Sequence, residues 1–223
     1  MSDTDSFIDE VTEEVRRDRF FHALKRYGWI GGVAVALIVG GAAYREYSKA
    51  QELAAAQALG DQITAALELE EDTAQAEALA SIEAETARGR AIVAMLEAGA
   101  RAKAGDTTAA KDELEAVATD AEVPLIYRHI ASFKALTLQA DSLSIDERRL
   151  QYEALAQPGA PLALLASEQL ALLDVEDGNT QAAIDRLRSI SQDAGASADL
   201  KERATQVIVA LGGSIEATDT PEG

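Results

Sequence analysis

The chain has 223 residues, with 20 basic against 39 acidic side chains, a net charge of -19, and no cysteine. That length holds one ordinary domain plus an accessory segment. Disulfides, thiolate metal sites and cysteine nucleophiles are excluded, and so acidic a chain is repelled by nucleic acid phosphates and anionic headgroups.

Residues 1–26 carry seven acids and five bases, including Arg16, Arg17, Arg19, Lys25 and Arg26. They form a charged arm, expected to be helical after a loose start. From 27 to 44 no residue is charged. At about 1.5 Å per residue a helix there spans roughly 27 Å, close to the ~30 Å hydrocarbon core of a bilayer. Phe20, Phe21, Tyr27 and Trp29 gather at one edge, and Tyr44 and Tyr47 at the other, where aromatic rings sit at headgroup level. The expectation is a transmembrane helix over 27–44. Basic residues crowd before it and thin out after Arg45 and Lys49. The positive-inside rule then leaves the N-terminus in the cytoplasm and exports the rest. Cleavage after Ala43 is the alternative, since Gly41 and Ala43 satisfy a small-x-small site; the long, acidic leading arm is unlike a secretory n-region. Gly28, Gly32, Ala36 and Gly40 recur every fourth residue. They form a candidate stripe for close contact with another membrane helix, or the ordinary glycine content of such helices.

Residues 45–223 carry 32 acids and 15 bases. An Ala-rich helix is expected over 45–70, broken or bent near Gly60, with a return helix over 73–86. Beyond it the chain repeats. "GDTTAAKDEL" (105–114) and "GNTQAAIDRL" (178–187) share six of ten residues at an offset of 73. Between them "DSLSIDERRL" (141–150) keeps only Leu150 of the pattern, at the spacing of a middle copy. A period of about 34 with two helices per unit is the arithmetic of a helical solenoid.

The expected helix pairs are 91–103 with 107–119, 124–140 with 145–156, and 161–176 with 180–192. A capping helix over 198–211 and a disordered polar tail over 212–223 complete the chain. Gly105 and Gly178 suit left-handed C-terminal caps, and Thr107 and Thr180 suit N-caps. Ala98 with Ala110, and Ala171 with Ala183, place small side chains where helices cross. Leu114 with Val117, and Leu187 with Ile190, supply the next interface. Pro161 can begin a helix.

The unit 91–124 resembles a tetratricopeptide repeat, with Ala98, Gly105, Asp106, Ala110 and Leu114 in family-like places. It departs at Ala94 and Arg101, and the third copy at Ser167 and Asp174, where the family carries aromatic residues. The whole, an all-α chain with one N-terminal transmembrane helix followed by a tetratricopeptide-like α-solenoid, is similar to the ancillary SecYEG translocon subunits (the YfgM-like family). The features that carry this are "FIDEVTEEVRRDR", "LKRYGW" entering the span, "YREY" leaving it, and "ARGRAIVAMLEAGARAKAGDTTAAKDEL". The resemblance implies a bacterial inner-membrane protein whose periplasmic domain contacts the Sec translocon, periplasmic chaperones or exported clients. A related branch implies coordination of cell division and envelope synthesis. A structural subunit of another membrane complex is a further alternative.

No nucleophile elbow, zinc motif, P-loop or dinucleotide fingerprint occurs, and His22 and His129 each stand alone. The acidic run Glu68, Glu70, Glu71, Asp72 lacks the spaced ligands of a calcium loop. The chain is therefore expected to be a scaffold rather than an enzyme, with no cofactor, metal, nucleic acid or small-molecule substrate. Solenoids bind partners on a concave face. The repeat register places Met95, Lys103, Glu168 and Leu172 there, with core the preferred reading for Met95 and Leu172.

Overall fold

The computed structural model describes residues 3–214, and the side chains of residues 25, 26, 29, 30 and 32–214. All regular structure among them is helical: α1 (Asp3–Leu67), α2 (Asp72–Ala80), α3 (Ala87–Lys103), α4 (Thr107–Thr119), α5 (Leu125–Leu138), α6 (Ile145–Leu155), α7 (Ala163–Glu176), α8 (Thr180–Gln192) and α9 (Ala198–Ala210). The chain divides into two units, Met1–Ala58 and Leu59–Gly223.

The described part of the first unit, residues 3–58, belongs to α1, which is helical from Asp3 to Leu67. A separate transmembrane helix is not supported: among the described residues no helix is long and apolar enough to cross a membrane. The expected span includes Tyr27, Gly28 and Gly31, whose side chains lie outside the described residues, as do those of the arm 1–24 and all of 215–223 in the tail. The break expected at Gly60 is also absent. Its carbonyl accepts a hydrogen bond from Thr64 Oγ1 at 2.8 Å, and the helix continues.

The second unit is built from successive clusters that draw on neighbouring helices only. Ala66, Ala76, Leu79 and Ala100 join the end of α1 to α2 and α3. Ala98, Ala110, Leu114, Val117, Ala131 and Ala135 join α3, α4 and α5. Leu136, Tyr152, Leu155, Ala166, Leu170 and Leu173 join α5, α6 and α7. Ala171, Ile184, Leu187, Ile190, Leu200, Ala204 and Ile208 join α7, α8 and α9. A core handed on from helix to helix is the construction of an α-solenoid. Ala98, Ala110, Ala171 and Ala183 are each 0 % exposed, so these crossings have no room for a larger side chain.

The two well-kept repeats turn in the same way. Gly105 and Gly178 have φ of +90° and +79°, a region L side chains avoid. In the first turn the Gly105 amide donates to Ala102 O and the Asp106 amide to Arg101 O. In the second the Gly178 amide donates to Val175 O and the Asn179 amide to Asp174 O. Both are Schellman ends. The N-caps lie one residue earlier than expected, which corrects the cap assignment. Asp106 is the N-cap of α4, accepting from the Ala109 amide at 3.1 Å, and Asn179 is the N-cap of α8 without a side-chain cap bond. Thr107 and Thr180 are therefore the first helical residues.

Four other expectations shift. α3 begins at Ala87 because Thr86 caps it, accepting from the Gly89 amide at 3.0 Å. Gly89 is buried there, and a Cβ on it would meet Leu59 Cδ2 at 3.1 Å and Ala84 Cβ at 3.0 Å. α2 correspondingly stops at Ala80 rather than running to 86. Pro161 lies in a turn before α7, whose N-cap is Leu162. In the middle repeat Leu150 is 70 % exposed, whereas Tyr152 is 4 % exposed and packs edge-on to Phe133 with ring centroids 5.6 Å apart. Tyr152 is the eighth residue of its helix, as Leu114 and Leu187 are of theirs. It takes the core place that the repeat pattern assigned to Leu150.

Candidate interaction surfaces

Two surfaces can be assembled from the described residues, one in each unit. In the first, Trp29, Ile30, Val33, Val35, Leu37, Ile38 and Val39 are 47 to 71 % exposed. At 100° per residue these positions point around the whole circumference of the helix. Gly32, Ala36 and Gly40 of the small-residue stripe are exposed too, and a Cβ built on Gly32 or Gly40 meets nothing within 4 Å. Gly28 lies outside the described side chains. Tyr44 and Tyr47 are 74 % and 64 % exposed.

In the second unit the four groove candidates separate. Met95 on α3 is half-buried and packs against the α3–α4–α5 cluster. Lys103, at the end of the same helix, is exposed. On α7, Leu172 is 41 % exposed, whereas Glu168 is only 8 % exposed. Glu168 accepts two parallel hydrogen bonds from Arg203 Nε and a terminal guanidinium nitrogen, each 2.9 Å long. Its carboxylate is thus engaged inside the fold, tying α7 to α9. Met95 belongs to the packing around α3, leaving Lys103 and Leu172 as the exposed candidates.

The departures from the repeat pattern have a structural use that the sequence pattern did not announce. Arg101 and Asp174 stand where an aromatic side chain was expected. Arg101 donates two hydrogen bonds, 2.8 and 2.6 Å, to the buried Glu97, which holds its guanidinium above its ordinary pKa. Asp174, 3 % exposed, is held by Arg149 from α6 and by Arg186 Nε from α8 at 3.2 Å. Alongside, Arg148 donates to Glu176 at 2.6 Å, and that hydrogen bond holds the Glu176 carboxyl below its usual range. The Asp174 and Glu176 pairs join α6, α7 and α8, whereas the Arg101–Glu97 pair lies within α3. Glu113 on α4 goes the other way: burial, then the neighbouring Glu97 carboxylate, push its pKa up.

Two open clefts of about 420 and 460 Å³ are lined in part by Ser167 and Ala94, the other two departures from the repeat pattern. Ser167 lies in the first with Leu164, Arg186 and Ile190, and Ala94 in the second with Ile82, Arg90 and Glu97. Both are shallow grooves with charged walls rather than enclosed reaction chambers. Among the described residues no three His, Asp or Glu side chains gather as metal ligands. The chain matches no family model, no curated protein and no solved structure.

Proposed function

We propose that this chain is a single-pass membrane protein of the bacterial inner membrane whose helical-repeat unit serves as a periplasmic interaction scaffold. The carrying observation is the uncovered apolar girdle from Trp29 to Val39. An apolar patch on a soluble partner surface is one-sided, whereas a helix apolar around its whole circumference fits a lipid environment. The uncharged run 27–44, bounded by Trp29 and by Tyr44 and Tyr47, supports the same reading. The N-terminus lies in the cytoplasm because five basic residues precede the run and only Arg45 and Lys49 closely follow it.

The scaffold role rests on stacked helix pairs with open grooves and on ion pairs that tie neighbouring helices together. The resemblance to translocon accessory subunits suggests the partners: the Sec translocon and periplasmic chaperones or exported clients, met by the repeat unit.

Spheroplasts of cells carrying the full chain provide the test. The protein should resist alkaline carbonate extraction, and external protease should digest residues beyond Tyr47 while sparing the N-terminal arm. Crosslinking in the same membranes should recover a translocon subunit. Carbonate-soluble protein, or a mature chain beginning at Tyr44, overturns the anchor; an anchored chain without translocon crosslinks overturns only the choice of partner.

A further inference from the structure

The two clefts differ in how their charges are engaged. In the one lined by Ser167, Asp185 accepts from Gln181 and Arg188, Asp193 accepts from the Gly195 amide, and Arg186 donates to the buried Asp174. Each charged residue of that cleft has a partner within the fold. The cleft lined by Ala94 lies between the α2–α3 connection and one face of α3. Arg90 is the one basic residue lining it, and Arg90 is committed elsewhere: it donates to Glu122 at 3.0 Å and to the Glu85 carbonyl at 3.3 Å.

Glu83 and Glu97 supply the carboxylates of this cleft. Glu83 is exposed, whereas Glu97 is only 6 % exposed. Both hydrogen bonds from Arg101 fall on Glu97 Oε1, and Arg101 also lies 3.9 Å from Asp106. Among the described residues, the buried side-chain atoms without a partner are Arg128 Nε, His129 Nδ1 and Arg148 Nε. Glu97 Oε2, which accepts no hydrogen bond from them, therefore still reaches solvent, and the cleft that Glu97 lines supplies the opening. A largely buried carboxylate with one oxygen uncommitted favours a cationic hydrogen-bond donor. Its charge is felt beyond Arg101, since it helps to raise the pKa of Glu113 on α4. The wall beside it is apolar, formed by Ile82, Val93 and Ala94. The aliphatic stem of a long basic side chain covers such a wall while its head stays with polar groups.

We propose that this cleft receives a lysine or arginine side chain of a partner polypeptide. The stem lies on Ile82, Val93 and Ala94, and the cationic head meets Glu97 Oε2 with Glu83 beside it. The net charge of -19 complements such a partner, drawing basic segments toward the chain and opposing acidic ones. This site rests on the scaffold reading and supplies it with a partner chemistry.

The test uses the full chain in nonionic detergent micelles, followed by NMR through the methyl signals of Ile82 and Val93. The probes are the peptide acetyl-Ala-Ala-Lys-Ala-Ala-amide, its counterpart with acetyl-lysine at the centre, and calcium ion alone. The lysine peptide should shift both methyl signals saturably, and the acetyl-lysine peptide should bind about tenfold more weakly, as expected for losing a charge-assisted hydrogen bond. Glu97→Gln should weaken the lysine peptide by a similar factor and Glu83→Gln by less. Glu153→Gln, at an exposed acid of α6 outside the cleft, should leave it unchanged. Ala94→Leu should block binding by filling the cleft with no change of charge. Equal binding of the two peptides overturns the proposal without relying on any variant. So does a folded Glu97→Gln or Ala94→Leu protein that binds like wild type, which would reduce the attraction to general acidity. Calcium binding as tightly as the lysine peptide, with the same methyl shifts, also overturns it and makes this a small-cation site. A chain that crosslinks to a translocon subunit yet ignores the peptide loses this site and keeps its scaffold role.

Discussion

Arg203 on α9 grips Glu168 on α7 through two parallel 2.9 Å hydrogen bonds, spanning 35 residues of sequence. Glu168 is 8 % exposed, so the carboxylate has left most of its water for this one partner. Removing Arg203 leaves that charge stranded, which is worse than never having buried it. Arg203→Ala should destabilise the chain by about 1.5–3 kcal/mol in urea unfolding, with the α9 amides exchanging first. Adding Glu168→Leu should recover part of the loss. If the double variant is no better than Arg203→Ala alone, the stranded charge is not the cause.

The middle repeat gives a sharper contrast, because two residues two positions apart have opposite fates. Tyr152→Ala removes a buried ring packed against Phe133 and should destabilise by about 3–5 kcal/mol. Leu150→Ala, at a 70 % exposed site, should change stability by less than about 0.5 kcal/mol. Thermal unfolding of the two variants side by side decides the register. A large loss for Leu150→Ala would restore the spacing read from the repeat.

That contrast also shows what the sequence could reveal. The expected bounds of α4 and α8 agree with the structure to the residue, because glycine, a polar cap and an apolar period coincide there. The middle repeat was harder: its turn is longer, with no glycine between α5 and α6, so a count from Leu150 landed on the wrong face. Glu168 is hidden from the sequence for a different reason. Helical register alone places it toward a groove, and its partner Arg203 lies too far along the chain for local periodicity to reveal.

The turn glycines should tolerate substitution poorly even though space is available. A Cβ on Gly105 or Gly178 meets nothing within 4 Å, yet both have positive φ. Gly105→Ala and Gly178→Ala should each destabilise by about 1–2 kcal/mol through backbone strain. Asparagine at either position, which visits this region more readily, should do less harm. Equal stability of the alanine and asparagine variants would point away from backbone strain.

Acid should act on different carboxylates in opposite directions. Glu113 has a raised folded pKa, so its ionised form is disfavoured by folding. Its unfavourable contribution is present above that folded pKa and disappears as pH falls toward the ordinary glutamate value of 4.5. Glu113→Gln should therefore be more stable than wild type at pH 7, and the advantage should fade in acid. Glu147 and Glu176 have lowered folded pKa values, Glu147 from the Ser144 capping bonds and Glu176 from its hydrogen bond with Arg148. Their stabilising contributions are present above pH 4.5 and are lost as pH falls through the folded values. Urea midpoints from pH 7 to 3 for wild type, Glu113→Gln and Glu176→Gln measure both signs.

Overpacking tests whether the repeats behave as a chain of neighbours. Ala110 and Ala183 are both 0 % exposed, but they serve different helix crossings, α3 with α4 and α7 with α8. Leucine at either position must push a helix away and should cost about 1–3 kcal/mol. In a solenoid each unit feels chiefly its neighbours. Hydrogen exchange in Ala110→Leu should therefore quicken most in α3 and α4, while α8 and α9 keep their protection; Ala183→Leu should show the converse. The two losses should add to within about 0.5 kcal/mol in the double variant, since the sites share no partner. Uniform loss of protection throughout the repeat unit, from either single substitution, would instead mean that the unit opens as one cooperative block.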